Sequence, residues 1–143
     1  MDRFEQCIAE GNIVEIKINP EKISRELKEA EFDLESSEHS EAKNNFKWTS
    51  IQAHYSLMHS FNALLNSKGY RANGYLCQIS GINKFYVGEG LINEEYLKDF
   101  EYSHKIYEGG DNPYNHKEDF AIHILSSAGD ILEIAQNILG FED

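Results

Sequence analysis

Apolar side chains recur along this chain at three- and four-residue steps, the spacing that lines one face of a helix. The period is cleanest near the C-terminus. There Phe120, Ile124, Ala128, Ile131, Ala135 and Ile138 predict a helix from about Asn115 to Leu139, ended by Gly140. Asn19-Pro20 predicts another helix start, with Asn as N-cap and Pro at the first helical position. Ile23, Leu27, Ala30 and Leu34 follow at helical spacing, with a charged opposite face. This surface helix is expected to end near Ser36-Ser37. From about Ala42 to Ser67 two apolar stripes run side by side. One holds Trp48, Ile51, Tyr55, Met58, Asn62 and Leu65; the other holds Leu57, Phe61 and Leu64. Two stripes mean burial on more than one side, so this is the predicted central helix, with Gly69 just past its end.

Shorter elements fill the gaps. Residues 2–10 predict a helix with Phe4 and Ile8 on one face, closed by Gly11. Ile13, Val14, Ile16 and Ile18 are β-branched and predict an extended connector, because no partner strand is evident. Residues 70–74 read as a loop. Leu76, Ile79, Ile82 and Phe85 predict a short helix, broken at Gly88-Glu89-Gly90. Asn93 caps a helix carrying Tyr96, Leu97, Phe100 and Tyr107, and Gly109 to Pro113 reads as a loop. Strand alternation is nowhere sustained. The expectation is an all-α, up-and-down bundle of five to six helices in one domain, residues 1–143, with residues 1–18 as an N-terminal helix and connecting arm.

Composition and charge narrow the function. The 143 residues are 41% apolar and 27% charged, a globular composition. Apolar runs are too short to span a bilayer, and Met1 to Glu5 lacks the basic and apolar regions of a signal peptide. A cytoplasmic location without membrane attachment follows as an expectation. Cys7 and Cys77 fit no disulfide framework and no zinc spacing, so two reduced, partly buried thiols are expected. The net charge of −12 argues against indiscriminate nucleic-acid binding. It is uneven, however. Residues 43–88 carry no Asp or Glu, but hold Lys43, Lys47, Lys68, Arg71 and Lys84. A buried helix sheds acids, which explains the stretch simply; a local anion site explains it more sharply.

Signatures of phosphate loops, zinc sites, nucleophile elbows and kinases are absent. His116, Asp119 and His123 share one helical side, for which a solvated face is a simpler account than a metal, and no metal or cofactor is assigned. On the central helix, Tyr55 and His59 are four residues apart and His59 and Asn62 three, so they form one patch. A histidine there is first of all a hydrogen-bonded core or interface residue. Next to Arg71, the same patch could contact a nucleotide or line a dimer cleft. His104 lies near a helix C-terminus, where the dipole favours a cation; it is a second place for a proton-transfer group.

The run Phe46-Lys47-Trp48 through Gln52-Ala53, Tyr55, His59, Ala63-Leu64-Leu65 and Lys68-Gly69-Tyr70-Arg71 resembles the signature of the HEPN family (higher eukaryotes and prokaryotes nucleotide-binding). The acidic helix after Pro20 and the opening Phe4-Glu5-Gln6-Cys7 are similar to family members too. The resemblance implies a helical bundle that commonly forms a homodimer. It also implies pairing with a small nucleotidyltransferase as a toxin–antitoxin couple and, in many members, metal-independent ribonuclease activity. The family's hallmark is an Arg, four to six residues, then a His: Arg to stabilise phosphorane-like charge, His to transfer a proton. Here Arg3, Arg25 and Arg71 all lack such a His, and the place after Arg71 reads Ala72-Asn73-Gly74-Tyr75. The reading is therefore a nucleotide- or RNA-associated module. Its contact residues would be Lys47, Tyr55, His59, Asn62, Lys68 and Arg71. A ribonuclease with a rearranged site, built on Arg71 with His59 or His104, is the first alternative. A non-catalytic dimeric scaffold is the second.

Overall fold

The computed structural model describes residues 1–109 and 117–141. Six α-helices are present among them: α1 (Arg3–Ala9), α2 (Pro20–Ala42), α3 (Phe46–Ser67), α4 (Tyr75–Ile82), α5 (Glu95–Gly109) and α6 (Glu118–Leu139). A π-helical turn, Asn83–Val87, extends α4. The expected all-α bundle is what forms.

The helix starts are set by side-chain caps. Asp2, Asn19, Asn45 and Asn93 each accept a bond from a backbone N–H in the first turn that follows. Gly69 and Gly140 lie at φ 85° and 74°, the left-handed region that lets a chain leave a helix. The α2/α3 corner departs from the sequence expectation. α2 runs on to Ala42 rather than stopping near Ser36-Ser37, and Asn44 takes φ 58° to turn the chain. The serines continue the helix because tertiary partners take their hydroxyls. Ser37 Oγ donates to the Thr49 carbonyl at 2.7 Å, and Ser40 bonds the Gln52 side chain.

α3 is the central helix. Ala53, Leu57, Phe61, Ala63 and Leu64 are fully buried, packed with Ile23, Leu27 and Ala30 of α2 and with Ile124, Ala128, Ile131 and Ala135 of α6. Small residues let the backbones approach, and Ser56 Oγ donates to the Ala30 carbonyl at 2.8 Å. α4 packs on α3 through Gly81, where an added Cβ would come within 2.7 Å of Leu65.

The expected connector and loop are in fact a ribbon. β1 (Ile13–Glu15) pairs antiparallel with β2 (Tyr70–Ala72), Ile13 opposite Ala72 and Val14 opposite Arg71. Ile16 N–H to the Gly69 carbonyl extends it. The partners lie far apart in sequence, so local pattern could not show them. A second, small cluster forms around this ribbon from Phe4, Cys7, Ile13 and Cys77. Here the expectation of two free thiols is corrected: Cys7 and Cys77 are joined in a disulfide that ties α1 to α4. They stand 70 residues apart in sequence, so nothing local in the chain signals the pairing.

Candidate functional site

His59 and Asn62 of α3 meet α2, whereas the Tyr55 ring lies edge-on to His54 at 5.8 Å. His59 is held on both ring nitrogens. Nδ1 lies 2.7 Å from Glu26 Oε2, and Nε2 lies 3.6 Å from Asp33 Oδ2. The hydrogen bond to Glu26 raises the His59 pKa above its ordinary value; burial opposes this, and the charges of Glu26, Asp33 and Glu29 reinforce it. Asp33 is itself raised, chiefly by burial. Asn62 Nδ2 donates to the same Glu26 oxygen at 3.4 Å, and Asn62 Oδ1 accepts from Gln78 Nε2 at 2.8 Å. Gln78 also donates to the Met58 carbonyl. One chain of bonds thus joins α2, α3 and α4.

This arrangement is a clasp. The imidazole sits in the negative field of Glu26, Asp33 and Glu29, with Nδ1 bonded to the first and Nε2 near the second. A proton-transfer histidine needs a free nitrogen and a pKa matched to its task. In this conformation the ring nitrogens of His59 face Glu26 and Asp33.

His54 and His104 make a second cluster, between α3, α5 and the start of α4. His54 is buried, stacks on Phe100 at 5.0 Å and lies 2.7 Å from Ser103 Oγ through Nδ1. Burial lowers its pKa to about 4, helped by the nearby His104, so it is neutral at pH 7. The His104 ring is 5.5 Å from His54 and stacks on Tyr75 at 3.8 Å. The sequence did not mark out Tyr75 or Ser103, whose roles depend on which helices meet.

The basic residues are spread rather than pooled. α3 has 22 residues, a length of roughly 33 Å. Lys47 is in its first turn, with the ammonium 5.9 Å from the Trp48 ring. Lys68 caps the other end, 5.6 Å from the Tyr86 ring. Arg71 is exposed on β2. The structure therefore brings His59 and Asn62 together on Glu26, and Lys68 near Arg71 at the far end of α3, but leaves Lys47 apart. Exposed Lys17 joins the far end, because the bond from Ile16 to Gly69 sets it beside Lys68. Its only signal in the sequence is its place inside the β-branched run. A cleft of about 440 Å³ opens elsewhere, between α1, α4 and α5. Lys84 of the acid-free stretch lines it, but Lys47, Tyr55, His59, Asn62, Lys68 and Arg71 do not.

Among the described residues no three His, Cys, Asp or Glu side chains are placed to hold a metal ion. His116 and Asn115 lie outside the described residues. His123 is, within them, bonded to Asp99 at 3.0 Å, and Ser127 donates to the same carboxylate. No helix among the described residues is long and apolar enough to cross a membrane.

Comparison with curated proteins finds no significant match. The family model for the HEPN domain matches residues 23–141, which takes in α2 from Ile23 onward, α3 to α6 and all of the α3 signature. The chain belongs to the HEPN domain family.

Proposed function

We propose that this HEPN domain is a non-catalytic, nucleotide- or RNA-associated module that works as a homodimer. Its partner would be a small nucleotidyltransferase, in a couple of the toxin–antitoxin kind. The observation that carries this reading is the His59 clasp. The histidine of the family-like signature is engaged by Glu26 and Asp33, and so ties helices together. Anion contact falls instead to Lys68 and Arg71 at the far end of α3, in the part of the chain that carries no acid from residue 43 to 88.

The test is titration of the purified protein with ATP, GTP and a short single-stranded RNA at low salt, following binding and RNA integrity together. Binding without cleavage, weakened about tenfold or more in Arg71→Ala, is the expected result. Cleavage lost in Arg71→Ala and in a His59 or His104 variant would instead establish a rearranged ribonuclease site. Absence of both would leave only the protein-partner role. Co-expression with the product of a neighbouring nucleotidyltransferase gene, where one exists, tests that role directly.

A further inference from the structure

α1 and β1 precede the residues that match the family, and their attachment to the rest differs in kind. β1 is held by backbone pairing to β2, by Ile16 N–H to Gly69 and by Asn73 N–H to Asn12. α1 buries only two side chains, Phe4 and Cys7. Phe4 meets Tyr70 and Phe85 edge-on at 5.5 and 5.4 Å, and Lys84 stands 5.0 Å over its ring. Cys7 is bonded to Cys77 of α4. Between α1 and β1 sits Gly11, at φ 76°, where the chain leaves α1; two backbone bonds, Gly11 N–H to Ile8 and Asn12 N–H to Cys7, span this joint.

The same helix forms one wall of the cleft. Arg3 and Phe4 face Leu76, Ile79 and Ser80 of α4 across it, and α5 closes it with Leu97. Ser80 also lies against the bridge, 3.9 Å from Cys7 Sγ. The bond that fixes α1 is therefore also the bond that fixes the width of the cleft.

We propose that the Cys7–Cys77 disulfide is a redox latch, and that its reduction by a dithiol frees α1 to swing about Gly11 while β1 and the bundle stay in place. Cys77 is the more exposed residue of the pair, 8% against 1% for Cys7. A dithiol, as its thiolate, attacks Cys77 Sγ. The protein's S–S bond breaks, and Cys7 leaves as a thiolate and takes up a proton. The reagent's second thiolate then displaces Cys77 and closes the reagent's own disulfide, so two electrons pass to the protein. Opening uncovers the rings of Phe4, Tyr70 and Phe85 and turns the cleft into an open groove. In a reducing compartment such bonds are characteristically transient and redox-sensing. The inference is independent of the proposed ligand.

Hydrogen exchange on the full chain tests it, with the protein air-oxidised, reduced with dithiothreitol, and as the Cys7→Ser/Cys77→Ser double variant. Amides of α1 should exchange about tenfold or more faster in the last two states, with α2, α3 and α6 unchanged. Oxidised Phe4→Ala should keep α1 protected, which separates the bond from the packing. Equal protection of α1 in oxidised and reduced protein would overturn the latch. So would free thiols in the air-oxidised chain, and so would loosening of α2, α3 and α6 on reduction, which would make the bond a staple for the whole fold.

Discussion

Two histidines five residues apart on α3 have opposite linkage to pH. His59 has a raised pKa, so it binds its proton more tightly in the folded chain than at the ordinary value of 6.5. Its stabilising contribution is complete below pH 6.5 and is lost as pH rises through the folded value. Glu26→Gln removes the first cause of that shift. It should cost about 1 kcal/mol at pH 6 and flatten the decline of stability above pH 6.5, as read by urea titration across pH. His54 is lowered to about 4 by burial and by His104. Its neutral form is the folded one, so its contribution is complete above pH 6.5 and is lost as pH falls toward 4. That part of acid destabilisation is about 3 kcal/mol, and His54→Gln should remove it from the pH profile while lowering stability at pH 7 through lost packing. That His59 and Asn62 share a flank was legible from their spacing. What they bond was not, because Glu26 and Asp33 come from another helix and Gln78 from a third.

Where elements meet, the decisive residues are small. Gly81 of α4 faces Leu65 of α3 so closely that a methyl group would stand 2.7 Å from Leu65 Cδ2. Gly81→Ala improves helix propensity yet should destabilise by about 1–2 kcal/mol, a loss measurable by thermal unfolding, because Leu65 is 2% exposed and can yield only by disturbing the core. From the sequence alone this glycine reads as a weakness in a helix; in the fold it is a contact. The α2 boundary shows the same gap. Ser36-Ser37 reads as a stop by propensity, but the Thr49 carbonyl accepts the Ser37 hydroxyl and the helix continues. The ribbon and the disulfide escaped for one reason. Pairing of β1 with β2, and of Cys7 with Cys77, joins segments more than fifty residues apart, and no local period records such a meeting.

For the whole molecule, α3 is the axis on which stability turns. Phe61 is fully buried and meets Phe100 edge-on at 5.1 Å, in the cluster shared with α2 and α6. Phe61→Ala should cost about 3–5 kcal/mol in chemical denaturation, and exchange should quicken in α2, α5 and α6 together, since all three lean on the same core. The all-α architecture, the helix starts at Asn19 and Asn93, the Gly69 and Gly140 stops, and the central place of α3 could be read directly along the chain. These depend on short-range physics: a 3.6-residue period, a capping side chain, a glycine free to take positive φ. Family membership was legible for a similar reason, since the α3 run is contiguous. The clasp on His59, the neutral state of His54 and the Cys7–Cys77 bond were decided only by tertiary structure. Each is a property of distance and burial between residues remote in sequence. Periodicity says which face of a helix turns inward, but not which side chain of another helix it will meet there.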